Sequence, residues 1–138
     1  MGHQNLILFF LINWFNGFEH SIKKYWYEIK DFDDQSSEIS FLLDKVSFIK
    51  SYSLVDPSRI VIDVYQSDLK SDVEQKYNYP IKLVRASSKD DLTRIVIDLY
   101  EYVNWSKPTQ EKTDEGILLK INVKKNKKDR KSTRLNSS

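Results

Sequence analysis

One eight-residue motif occurs twice. Ser58-Arg59-Ile60-Val61-Ile62-Asp63-Val64-Tyr65 returns as Thr93-Arg94-Ile95-Val96-Ile97-Asp98-Leu99-Tyr100. Both copies alternate with a period of two, which is the side-chain period of a strand and not of a helix. Ile60, Ile62 and Val64 share one face, and Arg59, Val61, Asp63 and Tyr65 share the other. In the second copy Ile95, Ile97 and Leu99 oppose Arg94, Val96, Asp98 and Tyr100. β-branched residues dominate both, as a half-buried pleated surface favours. Two such segments commit the chain to sheet structure.

Further strands follow from the same pattern. Glu38 to Leu43 places Ile39, Phe41 and Leu43 together, and Ile117 to Val123 places Ile117, Leu119, Ile121 and Val123 together. Weaker alternation marks Ile22 to Tyr27, Phe48 to Ser53, Ile81 to Ala86 and Tyr102 to Lys107. Asp56-Pro57-Ser58 reads as a type I turn with proline at its second position. Lys89-Asp90-Asp91 and Thr113 to Gly116 read as polar turns. Between the halves, Leu69, Val73 and Tyr77 stand four apart and allow one or two helical turns within Gln66 to Tyr79.

The order of these strands points to a duplication. Ser21 to Trp26 resembles Pro80 to Arg85, Ser37 to Phe41 resembles Thr93 to Ile97, and Arg59 to Val64 resembles Leu118 to Val123. One small sheet with a single apolar face cannot hide that face, whereas two related sheets can bury theirs against each other. The expected fold is all-β, a sandwich of two related, roughly four-stranded sheets with pseudo-twofold symmetry over residues 22–123.

The flanks are read separately. Leu6 to Phe15, within residues 1–21, is too short to span a bilayer as a helix, which takes about 20 residues. It suits the apolar core of a signal peptide, against a buried N-terminal helix, a mis-assigned start codon or a fragment artefact. The basic run Lys124 to Lys128 opens a solvated linker, with contact to an anionic polymer as the alternative. Residues 129–138, Asp129 to Ser138, correspond codon for codon to one frame of a common sequencing-library adapter and are set aside. On that reading the natural protein continues beyond Lys128. Without this tail the charged residues balance at 19 basic and 19 acidic.

Catalytic chemistry has little to build on. The absence of cysteine excludes disulfides and thiolate metal sites. Both histidines, His3 and His20, lie in the N-terminal flank. No P-loop, G-x-S-x-G or H-E-x-x-H stretch occurs. No catalytic residue, metal site or cofactor is expected.

The stretches VDPSRIVIDVYQSDL, IKLVRASSKDDLTRIVIDLYEYVNW and DEGILLKINV together resemble the AMIN domain. Its pattern is a P-x-R-hydrophobic-V-I-D strand, a crossover, an I-x-x-V-R strand, an acidic turn, a T-R-V-V-hydrophobic-D-L strand and a closing apolar strand. The resemblance covers about residues 22–123. It implies a sandwich of two related sheets that binds peptidoglycan and localises a larger envelope protein. The parent would be a zinc-dependent N-acetylmuramoyl-L-alanine amidase or, alternatively, a type IV pilus secretin; a generic β-sandwich interaction domain is the remaining reading. The implied location is the periplasm or cell envelope. The partners are peptidoglycan and envelope or divisome proteins, with no nucleic acid and no transmembrane span.

Candidate peptidoglycan-binding residues are Arg59, Arg85, Arg94, Asp98, Tyr100 and Trp105. Arginine suits planar recognition of carboxylates; the plainer reading is charge pairing along or across an exposed face. Tyr65, Tyr100 and Trp105, and equally Tyr25 and Trp26, either pack on sugar rings or serve as cross-strand partners. Glu38 and Leu42 stand where the repeat has Arg94 and Asp98, so the two halves are not expected to meet a ligand equally.

Overall fold

A computed structural model describes residues 21–125. The N-terminal apolar stretch, both histidines and the adapter-like tail lie outside the described residues. Ten strands form: β1 (Ser21–Lys23), β2 (Tyr27–Asp33), β3 (Ser36–Leu43), β4 (Phe48–Leu54), β5 (Arg59–Tyr65), β6 (Val73–Lys76), β7 (Ile81–Lys89), β8 (Leu92–Leu99), β9 (Thr109–Thr113) and β10 (Gly116–Lys124). They make two antiparallel five-stranded sheets. Sheet A runs β1-β2-β3-β10-β9 and sheet B runs β4-β5-β8-β7-β6.

The inner faces carry the residues that the alternation selected. Ile29, Ile39, Phe41, Leu119 and Ile121 from sheet A and Ile60, Ile62, Ile95 and Ile97 from sheet B are fully buried in one cluster. At about 25 cal/mol per Å² of apolar surface removed from water, this layer is the main source of stability. Side-chain bonds also join the sheets along one flank. Tyr27 Oη on β2 donates to Gln75 Oε1 on β6 at 2.9 Å, and Tyr77 Oη donates to Asp31 Oδ1 at 3.0 Å. Burial and the neighbouring Asp31 carboxylate push the Tyr77 phenol well above its ordinary range.

The duplication is visible in the register. In sheet B, Ile60 faces Ile97, Ile62 faces Ile95 and Val64 faces Thr93. In sheet A, Leu119 faces Phe41, Ile121 faces Ile39 and Val123 faces Ser37. The halves are nevertheless not one sheet each. Sheet A holds β1, β2 and β3 from the first half with β9 and β10 from the second, and sheet B holds β6, β7 and β8 with β4 and β5. Each half lends its last hairpin to the other's sheet.

Several expectations need correction. Ile22 to Tyr27 is not one strand: the chain turns at Lys24 to Trp26, where Lys24 N donates to Tyr27 O, so β1 and β2 form a hairpin. Tyr102 to Lys107 forms no strand beyond a single bridge between Trp105 and Val123. The connection after β5 holds no helix; Leu69 bridges to Leu43, Val73 begins β6 and both are buried, so their spacing of four reflects two separate inward contacts. In the β4–β5 turn Asp56 has φ 56° and its bond to Pro57 is cis. β10 runs through Lys124, one residue past the expected end of the domain.

Candidate functional site

The outward side chains of sheet B come from alternate positions on five strands. Register places Phe48 beside Tyr65, Lys50 beside Asp63 and Tyr52 beside Val61. It then places Asp63 beside Arg94, Val61 beside Val96 and Arg59 beside Asp98. Arg85 stands beside Glu74 on the far side. The sequence motif thus displays both of its Arg-Asp sets on one surface.

The arginines pair across strands rather than along them. Arg94 makes a bidentate contact with Asp63, Nε to Oδ1 at 2.7 Å and Nη2 to Oδ2 at 2.9 Å. Arg85 makes another with Asp98, at 2.8 and 3.1 Å. The Asp63 side chain is only 5% exposed whereas that of Arg94 is 55% exposed, so the guanidinium roofs the carboxylate. The short bonds and the charge of Asp63 raise the affinity of Arg94 for its proton further, with smaller contributions from Tyr52 and Tyr65. Arg59 has a different partner: its Nη1 donates to the Pro57 carbonyl at 2.6 Å.

Two kinds of surface meet at Arg94. On one side a groove of ≈ 350 Å³ is lined by Glu74, Arg85, Ala86, Ser87, Arg94 and Val96, among others. On the other side lie aromatic rings. Phe48, 60% exposed, tilts against Tyr65 with centroids 5.6 Å apart, and Lys50 Nζ sits 5.7 Å from the Tyr52 ring. Flat rings beside polar forks can hold the apolar face of a sugar while hydrogen-bonding its substituents.

Of the six residues expected from the sequence, Arg59, Arg85, Arg94 and Asp98 come together on this face. Tyr100 follows β8 at the end of the same sheet. It stacks on Tyr79 at 5.9 Å with Lys82 Nζ over its ring, and Tyr79 Oη donates to Glu101. Trp105 is not brought there. It bridges to Val123 of sheet A and packs, half-buried, against the core. Sequence reasoning missed Phe48, Lys50 and Tyr52. Their every-second-residue spacing on β4 is the available signal.

Among the described residues no group of three or more histidine, cysteine, aspartate or glutamate side chains is placed to hold a metal ion. No helix there is long and apolar enough to cross a membrane. Residues 27–127 match the family model of the AMIN domain. No curated protein matches the chain. With that match spanning most of its length and both sheets, the chain belongs to the AMIN domain family.

Proposed function

We propose that this chain is a non-catalytic targeting domain that holds peptidoglycan against the outer face of sheet B. AMIN domains are peptidoglycan-binding targeting modules of amidases and secretins, and they occur in periplasmic and envelope proteins. The observation that carries the choice of face is the convergence of Arg59, Arg85 and Arg94 with Phe48, Tyr52 and Tyr65 on one sheet surface. In this reading the rings support the glycan. The exposed edges of Arg85 and Arg94, oriented by Asp98 and Asp63, meet stem-peptide carboxylates along the ≈ 350 Å³ groove. The parent protein is an N-acetylmuramoyl-L-alanine amidase, with a type IV pilus secretin as the other assignment.

The test is co-sedimentation with purified sacculi at low and moderate salt. The chain is expected in the pellet, and Arg59→Ala with Arg85→Gln is expected to release it. A chain that stays in the supernatant at both salt levels ends the wall-binding reading. Retention that the double variant leaves unchanged removes these arginines from the site.

A further inference from the structure

Each sheet has two edge strands, β1 and β9 in sheet A and β4 and β6 in sheet B. Short or charged edges discourage pairing with another chain. β1 has three residues and β6 four, and β9 is exposed at every position and carries Glu111 and Lys112. β4 has no such guard. It keeps seven residues in unbroken register with β5, contains no proline and a single charge, Lys50, and leaves Phe48 and Leu54 exposed at its ends. We propose that β4 is a self-pairing edge. Two copies of this chain join β4 to β4, antiparallel about a twofold axis at Ser51, and merge their sheets B into one continuous sheet.

Hydrogen-bond parity decides which backbone groups of β4 are free. Leu99 N donates to Ser58 O at 3.0 Å, one step beyond the Arg59–Asp98 pair. In an antiparallel ladder, residues bonded to one neighbouring strand alternate with residues bonded to the other. Ile60, Ile62 and Val64 therefore turn their backbone groups toward β8, and Arg59, Val61, Asp63 and Tyr65 turn theirs toward β4. The bond from Ser47 N to Tyr65 O, at 3.1 Å, agrees with this. The register partners Phe48, Lys50, Tyr52 and Leu54 are thus bonded to β5. The N–H and C=O groups of Ile49, Ser51 and Ser53 point off the edge, and among the described residues no strand takes them.

A second copy is the occupant because β4 is close to its own complement. An axis at Ser51 sets Ser51 opposite Ser51 and Ile49 opposite Ser53, so every free N–H and C=O of these residues bonds reciprocally. The pairs between them are the non-hydrogen-bonded ones, whose side chains lie closer together. There Phe48 meets Leu54 of the second copy, apolar against apolar. Lys50 meets Tyr52 of the second copy, a combination that the strand already makes within itself at 5.7 Å. No like charges face each other, and all seven residues of β4 are paired. Moving the axis to Lys50 would set lysine against lysine and shorten the paired length. The outer faces of both sheets B stay on one side, so two sets of arginine forks share a surface. An edge contact of this length buries little area, which places the dimer in the weak, reversible class.

The test is sedimentation velocity on the full chain over a concentration series, with amide exchange followed residue by residue. A monomer–dimer equilibrium is expected. Protection at Ile49, Ser51 and Ser53 is expected to rise with concentration, while Lys50 and Tyr52, bonded to β5, stay protected throughout. Tyr52→Lys sets ammonium against ammonium on both sides of the axis and is expected to weaken the dimer about tenfold. Tyr52→Glu sets a carboxylate against Lys50 of the second copy and is expected to tighten it about threefold. Ser51→Pro, which removes an off-edge N–H and no bond to β5, is expected to abolish the dimer. A chain that is monomeric at every concentration overturns the proposal. So does a dimer that Ser51→Pro leaves intact, or one that Tyr52→Lys and Tyr52→Glu shift in the same direction. Protection at Ile49, Ser51 and Ser53 that is independent of concentration also overturns it, because the chain then covers its own edge.

Discussion

The two sheets share one inner design and differ on the outside. At the centre of sheet B, Val61 stands beside Val96, flanked by Asp63 with Arg94 and by Arg59 with Asp98. At the equivalent positions of sheet A, Lys120 stands beside Ser40, flanked by Asn122 with Glu38 and by Leu118 with Leu42. The order of charged and apolar positions is rearranged while the inward residues keep their type. Sheet A's outer charges are ordinary Lys–Glu pairs, Lys30 with Glu38 at 3.7 Å and Lys120 with Glu111 at 3.0 Å. They lack the bidentate forks of sheet B, and Phe32 on β2, 60% exposed near Lys30, stands there without the ring-on-ring contact that Phe48 makes with Tyr65. Burial constrains the inner faces of both halves equally, and only the outer face is free to diverge toward a ligand.

This contrast can be broken at several levels. The largest effects belong to the shared interior. Ile97→Ala and Phe41→Ala sit at matching inner positions, and each is expected to cost about 3 kcal/mol by urea denaturation. A cost at one site several times that at the other would deny the equivalence. Next comes the asymmetry of the outer charges. Arg94→Ala leaves the Asp63 carboxylate buried without its partner and is expected to cost about 2 kcal/mol, discounted because Arg94 is half exposed. Glu38→Ala, its counterpart in sheet A, should cost under about 0.5 kcal/mol. Equal losses would show that the bidentate pair is no more structural than a surface contact.

Binding sharpens the comparison further. Phe48→Ala with Tyr65→Ala is expected to weaken retention on sacculi about tenfold, equivalent to roughly 1.4 kcal/mol, while Lys120→Ala on sheet A leaves retention unchanged. Grafting the fork onto sheet A, Glu38→Arg with Asn122→Asp, is expected to alter stability by less than about 1 kcal/mol. A larger loss would mean that the outer face of sheet A has a structural role of its own. The smallest effect is local and depends on pH. Asp33 accepts the Gln35 backbone N–H at 2.7 Å and the Ser36 hydroxyl at 3.0 Å, which holds its carboxyl below the usual range. With a folded pKa below the unfolded one, its support for the β2–β3 turn is complete above the ordinary carboxylate range and lost as pH falls through the folded value. Amide exchange at Gln35 should accelerate over that acid interval, and Asp33→Asn should flatten the profile.

The sequence made the interior legible because burial writes itself as alternation. β5, β8 and the inward half of β3 and β10 could be read directly from their isoleucines and leucines. β9 could not, since Thr109 to Thr113 is exposed at every position and carries no apolar beat. β6 is four residues long, and the inward contacts of Leu69 and Val73 imitated a helical spacing. The arginine residues of the site were visible as residue types, but which aspartate each would grip depends on cross-strand register, which no local pattern records. Trp105 shows the same limit from the other side: it follows soon after β8 of sheet B, yet it bridges to β10 of sheet A, to which its neighbours Asn104 and Ser106 also bond.

The lending of terminal hairpins between the two halves has a mechanical consequence. The arrangement is that of a symmetric dimer of half-length chains that have swapped their ends and then been joined head to tail. Removing either half would strip two strands from the sheet that remains and expose its isoleucines. A tether pulling on the end of β10 therefore loads the strand next to β3, in the middle of sheet A. A domain meant to hold a larger protein against a rigid polymer would transmit that load through a central strand rather than peel apart from an edge.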